Sequence, residues 1–206
     1  MRIAPGRLVI ATHNQGKVCE IRALVEPLGF DPVSAGELGL PEPAETGTSF
    51  AENAEIKARA ACGASGLPAL ADDSGLSIAA LGGMPGVWTA DWAEQAVHEG
   101  GPGRDWYMAM GKVEGKLAAL GAHVDRSAYF TSMLCLALPD GQVHHFEGRA
   151  HGSLTWPPRG DMGFGYDPVF IPDGEDRTFA EMTPEEKHAR SHRAAAFAKL
   201  LEWLQS

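Results

Sequence analysis

No apolar run in this chain approaches the about 18 residues that a membrane-spanning helix needs, and no basic-then-apolar stretch opens it. Neither a membrane span nor a secretory signal is expected. Cysteine is scarce. Cys19, Cys62 and Cys135 lie far apart and are odd in number, which offers no zinc spacing and no disulfide framework. Reduced core thiols in a cytoplasmic protein fit that usage. Positive charge is also short: 17 Lys and Arg against 27 Asp and Glu give a net charge of −10. That argues against nucleic acid as a partner, since such a surface needs a basic stripe. A small polyanion held by a few local lysines stays open.

What is present suits one soluble globular domain, with room for two lobes. The chain has 206 residues, 44% of them hydrophobic and 21% charged, enough to bury a good core. Its most telling stretch is Ala69-Leu70-Ala71-Asp72-Asp73-Ser74-Gly75-Leu76-Ser77-Ile78. The pattern predicts a buried strand that delivers two carboxylates to a turn, with a second strand leaving. Successive strand residues point to opposite faces, so one pocket can receive only one of the two acids. Buried adjacent acids need a cation or hydrogen bonds, and a hard divalent ion would serve. A solvated Asp-Asp-Ser-Gly turn is the plainer alternative.

Upstream, Leu8 to Thr12 reads as a strand, Thr12 to Lys17 as a polar loop, and Val18, Ile21, Leu24 and Val25 as a helix face. Such a loop at a helix N-terminus is a phosphate site or merely a turn. It lacks the Walker A pattern. Phe30 to Ser34 reads as a second strand, and Leu38 to Gly47 as an acidic Pro- and Gly-rich loop. Ser49-x-x-Glu52 has capping-box form, and the Ala-rich helix it opens should end near Gly63 or Gly66. Asn53 and Lys57 share one face of it. For Lys57 taken alone, a solvated face is the expected place.

Val87 to Trp92 has no clear conformation, and Gly100 to Gly103 reads as a mobile surface link. Trp106, Met110, Val113, Leu117 and Leu120 form a helical stripe, either core or subunit contact. Ala128 to Leu138 and Gln142 to Ala150 should pair across the Pro139-Asp140-Gly141 turn. His144 and His145 then face opposite ways and cannot share a metal. Glycines around Phe164 and Tyr166 suit either a flat ligand or a core-facing turn, and Val169 to Ile171 reads as a strand. Thr183-Pro184-Glu185-Glu186 caps a final helical region. On one unbroken helix Lys187, His192 and Arg193 would point roughly 100–140° apart. If they share a site, the helix breaks between Lys187 and His192, with Ser191 capping the last piece.

Six motifs in order carry a resemblance: Thr12-x-Asn14-x-x-Lys17; Glu45-Thr46-Gly47-x-Ser49-Phe50-x-Glu52-Asn53; Ala71 to Leu76; Gly82-Gly83-x-Pro85-Gly86; Gly163 to Pro168; and Glu186-Lys187-x-x-x-Ser191-His192-Arg193. Over residue 8 to about 200 the chain resembles the inosine triphosphate pyrophosphatase family, also called dITP/XTP pyrophosphatases. The resemblance implies a two-lobed α/β fold around a long mixed sheet, a homodimer, and a substrate cleft between lobes. It implies Mg²⁺-dependent hydrolysis of deaminated purine nucleoside triphosphates to monophosphate and pyrophosphate, with Mn²⁺ as a possible substitute, cleansing the nucleotide pool. By the same resemblance Glu45 and Asp73 hold the metal, and Asp73 accepts the proton. Thr12, His13, Asn14, Gln15, Gly16, Lys17, Lys57 and Ser74 hold the triphosphate. Phe164, Gly165, Tyr166, Asp167, Lys187, His192 and Arg193 contact the nucleotide, chiefly its base. His13 and Asp91 depart from the usual pattern, which carries a small residue or Asn at the first position and an arginine at the second. Two rivals keep fewer of these features. A nucleotide sensor would need no metal pair, and an aspartyl-nucleophile phosphoesterase would need a D-x-D spacing that Asp72-Asp73 lacks.

Overall fold

Six strands form one mixed sheet in the order β2-β1-β3-β4-β5-β6 in a computed structural model that describes residues 3–94 and 103–206. The strands are β1 (Arg7–Ile10), β2 (Asp31–Ser34), β3 (Ala69–Ile78), β4 (Ser127–Ala137), β5 (Val143–Leu154) and β6 (Phe170–Pro172). β1 runs parallel to both β2 and β3, whereas β5 and β6 are antiparallel. The helices are α1 (Gln15–Val25), α2 (Phe50–Ser65), α3 (Asp91–Glu94), α4 (Trp106–Ala119), α5 (Pro184–His188) and α6 (His192–Gln205). This is the α/β class expected from the sequence. No helix among the described residues is long and apolar enough to cross a membrane.

The chain divides into two compact units. The first comprises Met1–Asp73, Ser132–Gly148 and Ala195–Ser206; the second comprises Ser74–Thr131 and Arg149–Ala194. In the first unit the sheet is covered on both faces, which is why β1 reads as a continuous apolar run. Leu8 and Ile10 pack with Val18 and Ile21 of α1 and with Phe197 and Leu200 of α6. Val9 and Ala11 pack with Ala54, Ala58 and Ala61 of α2. Each fully buried Leu or Ile there contributes roughly 1.5–3 kcal/mol relative to exposure. The second unit has its own core, in which Met110, Val113 and Leu117 of α4 meet Phe130, Phe170 and Phe179.

Several expectations need correction. There is no turn after Asp73; β3 runs unbroken through Asp72, Asp73 and Ser74 to Ile78. Both acids are buried, so the solvated-turn alternative fails as well. Within the α4 stripe, Met110 is core and Leu120 is exposed. Trp106 is partly buried and meets Tyr166 edge-on with centroids 5.6 Å apart. Val87 to Trp92 resolves into a 3₁₀ turn at Gly86–Trp88 and the start of α3 at Asp91. Of the link at Gly100 to Gly103, all but Gly103 lies outside the described residues. Cys62 and Cys135 are buried free thiols as expected, but Cys19 is exposed.

Candidate functional site

In the first unit the β1–α1 connection builds an anion-ready helix start. The Asn14 side chain caps α1 by accepting from the Lys17 backbone N–H at 3.2 Å, and the Asn14 N–H is taken by Thr12 Oγ1 at 3.2 Å. The helix dipole and the first-turn N–H groups therefore meet at Asn14 to Lys17. His13 is bound sideways, its Nε2 2.9 Å from the Leu40 carbonyl oxygen.

Asp72 and Asp73 have different surroundings, as strand alternation requires. Asp72 is fully buried; its Oδ2 lies 2.9 Å from Lys17 Nζ, and its Oδ1 accepts from Ser132 Oγ at 2.6 Å. Asp73 pairs through Oδ1 with Lys57 Nζ at 2.8 Å. The same ammonium lies 3.0 Å from Glu45 Oε1. Lys57 is thus buried among acids rather than solvated, which overturns the plainer reading of that helix face. Asn53, one turn earlier on α2, fixes the approach of the Glu45 loop by accepting from the Gly47 N–H at 2.8 Å. A Cβ at Gly47 would sit 2.6 Å from that Asn53 oxygen and 2.6 Å from Glu52 Cβ, so the motif needs glycine there.

The electrostatics follow from burial. Desolvation pushes the Asp73 carboxyl above the usual aspartate range, although Lys57 and Lys17 pull it back. Desolvation would lower the Lys57 ammonium, but the charges of Asp73 and Glu45 outweigh it and hold the lysine protonated. Asp72 faces the Lys17 ammonium, while Asp73 and Glu45 together face that of Lys57. Asp73 Oδ2 is buried with no hydrogen-bond partner among the described residues. An orphaned buried oxygen is costly unless a ligand completes it.

These features fit a hard divalent cation. Glu45 and Asp73 converge on a single ammonium, which makes the two carboxylates neighbours, and Asp73 Oδ2 has no hydrogen-bond partner among the described residues. Among the described residues no group of three or more His, Cys, Asp or Glu could form an all-protein cage. Mg²⁺ is commonly bound by one or two carboxylates and completed by phosphate oxygens and water.

The second unit gathers the remaining motif residues. Lys187 Nζ forms a buried pair with Asp167 Oδ2 at 2.7 Å, and that oxygen also accepts from the Phe164 N–H at 2.8 Å. The Lys187 ammonium sits 4.7 Å from the centroid of the Phe164 ring. A side chain at Gly163 would fall onto the Asp167 carboxylate, so this turn also needs its glycine. The helix breaks where a shared site would require it: α5 ends at His188, α6 begins at His192, and Ser191 Oγ accepts from the Ala194 N–H at 3.0 Å. His192 stacks on Phe130 at 4.9 Å and 16°. Arg193, 2% exposed, donates to Ser74 Oγ at 3.3 Å.

The placement of the named residues is therefore uneven. Thr12 to Lys17, Glu45, Lys57 and Asp73 gather in the first unit. Ser74, Phe164, Gly165, Asp167, Lys187, His192 and Arg193 belong to the second. Tyr166 is 1% exposed, and its ring lies in the core beside Trp106, the place of a core-facing turn residue. Burial pushes its phenol up. Sequence reasoning missed Ser132 and Phe130. The signal for Ser132 was Thr131-Ser132, two hydroxyls in mid-strand amid apolar residues.

Comparison with known proteins agrees with the resemblance drawn from the motifs. A dITP/XTP pyrophosphatase of Agrobacterium fabrum is 57% identical over 205 residues, covering 95% of this chain and 94% of the relative. One of Zymomonas mobilis is 54% identical over 200 residues, covering 97% and 92%. Among solved structures, a HAM1 protein from Coxiella burnetii superposes with a TM-score of 0.85 at 37% identity, covering 98% and 99% of the two chains. A nucleoside-triphosphatase, dITP/XTP pyrophosphatase, from Mycobacterium abscessus gives 0.72 at 41% identity, covering 95% and 98%. The profile of the Ham1 family matches residues 8–203, and the chain belongs to that family.

Proposed function

We propose that this protein hydrolyses deaminated purine nucleoside triphosphates (ITP, dITP and XTP) to the monophosphate and pyrophosphate. Full-length relatives carrying that activity in their names support the reading. The observation that carries its chemistry is Asp73, with Oδ1 anchored on the Lys57 ammonium that it shares with Glu45 and Oδ2 buried without a hydrogen-bond partner.

The two clusters support the following roles. The start of α1 with Thr12, Asn14, Gln15, Gly16 and Lys17 receives the triphosphate, aided by His13 and Lys57. Glu45 and Asp73 would hold Mg²⁺, or Mn²⁺ in its place, which when bound neutralises charge developing on the phosphate oxygens. Asp73 orients a water toward the α-phosphorus and takes its proton. The bond from that phosphorus to the bridging oxygen breaks, and pyrophosphate leaves with the electron pair. Lys17 and Lys57 offset the charge that builds on the leaving group. In the second unit, Phe164 and Gly165 shape a surface for the base, held by Asp167 and Lys187, with Tyr166 supporting the turn from the core. Donors on His192 and Arg193 suit a 6-oxo group, whereas an adenine amino group there would set donor against donor.

A cytoplasmic nucleotide pool is the natural setting, and free cysteines are compatible with it. A homodimer belongs to the same proposal. With Met110 in the core, exposed Tyr107 and Leu120 of α4 are its better candidates for contact.

Product analysis tests the reading. Purified protein should release pyrophosphate and IMP from ITP with Mg²⁺, do so far more slowly from ATP, and fall silent with chelator. Stepwise orthophosphate release would refute it, and binding of ITP without turnover would favour a sensor.

A further inference from the structure

We infer that Asp72 is a positioning residue for the triphosphate end of the site: with Ser132 it locks the Lys17 ammonium in place before substrate arrives. The inference rests on the reading of Lys17 as a phosphate-binding group. Asp72 and Asp73 are adjacent, yet the structure treats them oppositely. Asp73 keeps one oxygen without a partner, whereas both oxygens of Asp72 are engaged, Oδ1 by Ser132 and Oδ2 by Lys17. Asp72 and Ser132 are both 0% exposed.

The arrangement fixes the lysine from two directions. Ser132 donates its hydroxyl proton to Oδ1, which sets the plane of the carboxylate and presents Oδ2 to Lys17. Lys17 Nζ also donates to the Asp72 carbonyl oxygen at 3.3 Å. A lysine side chain is long and flexible, so ordering it upon binding would weaken affinity. Holding it beforehand removes that cost, which is the general benefit of preorganisation. The position is the right one, because Lys17 lies in the first turn of α1, where N–H groups and dipole already favour an anion. A carboxylate whose two oxygens are taken is poorly placed to be the base or a metal ligand. Its work is done through Lys17.

The test is calorimetric binding of inorganic tripolyphosphate and of IMP to wild type, Asp72→Asn, Lys17→Met and the double variant. It needs no turnover, so its failure is separate from failure of the proposed reaction, which product analysis decides. Asp72→Asn keeps the shape and removes the charge. It should weaken tripolyphosphate by about tenfold, the cost of ordering one long side chain on binding, and leave IMP within about twofold. In the Lys17→Met background the same change should cost almost nothing more, because the two residues act as one unit. Equal weakening of both ligands, or the full loss repeated in the Lys17→Met background, would overturn the assignment. If Asp72→Asn does not fold, Ser132→Ala retains both charges and should weaken tripolyphosphate alone by a smaller factor of about three. Unchanged tripolyphosphate binding in Ser132→Ala would then overturn it.

Discussion

At the scale of single residues, the deciding contrast is between two aspartates one position apart. Asp73 keeps a buried oxygen without a hydrogen-bond partner, whereas both oxygens of Asp72 are engaged. Asp73→Asn should therefore lower turnover of ITP by roughly 10²–10⁴, the usual worth of a positioned base, while ITP still binds. Single-turnover kinetics with calorimetry checks this, and an Asn variant retaining a tenth of the rate would remove Asp73 from the chemistry. Much of this was legible in the motif, because strand alternation alone separates the two acids. Lys57 was not. On this Ala-rich helix Phe50, Ala54, Ala58 and Ala61 mark a packing face, and the last three are buried, yet nothing local says that the lysine beside that face meets Glu45 and Asp73. For Ser132 the paired hydroxyls of Thr131-Ser132 were visible in the sequence but their purpose was not, because its partner Asp72 is 60 positions away and only the sheet brings them together.

At the scale of elements, the break between α5 and α6 governs what the last motif can do. Lys187 ends up paired with Asp167, while His192 and Arg193 open a new helix under the Ser191 cap. Ser191→Ala should cost about 1 kcal/mol of stability, typical for loss of an N-cap, visible as a lower Tm. It should also narrow the preference for ITP over ATP, since the cap aims both donors. Loss of stability with selectivity unchanged would show that the cap serves folding alone. This break was legible only on the condition that Lys187, His192 and Arg193 share a site, whereas the caps at Ser49 and Thr183 were legible outright, because each is settled within a few residues. The unbroken β3 could not. Asp-Asp-Ser-Gly carries turn chemistry locally, and tertiary partners for both acids override it.

At the scale of the molecule, the α/β class was readable from the order of apolar runs and helix faces, and six motifs in sequence identified the family. The pairing of β3 with β4 and the division into two units depend on long-range packing that no local pattern encodes. The account's central claim is attack by water at the α-phosphorus, assisted by Asp73. Its most direct test is ITP hydrolysis in water labelled with heavy oxygen, followed by mass analysis of both products. The account predicts one label in IMP and none in pyrophosphate. Label in pyrophosphate, with IMP unlabelled, would place the attack at the β-phosphorus and contradict it.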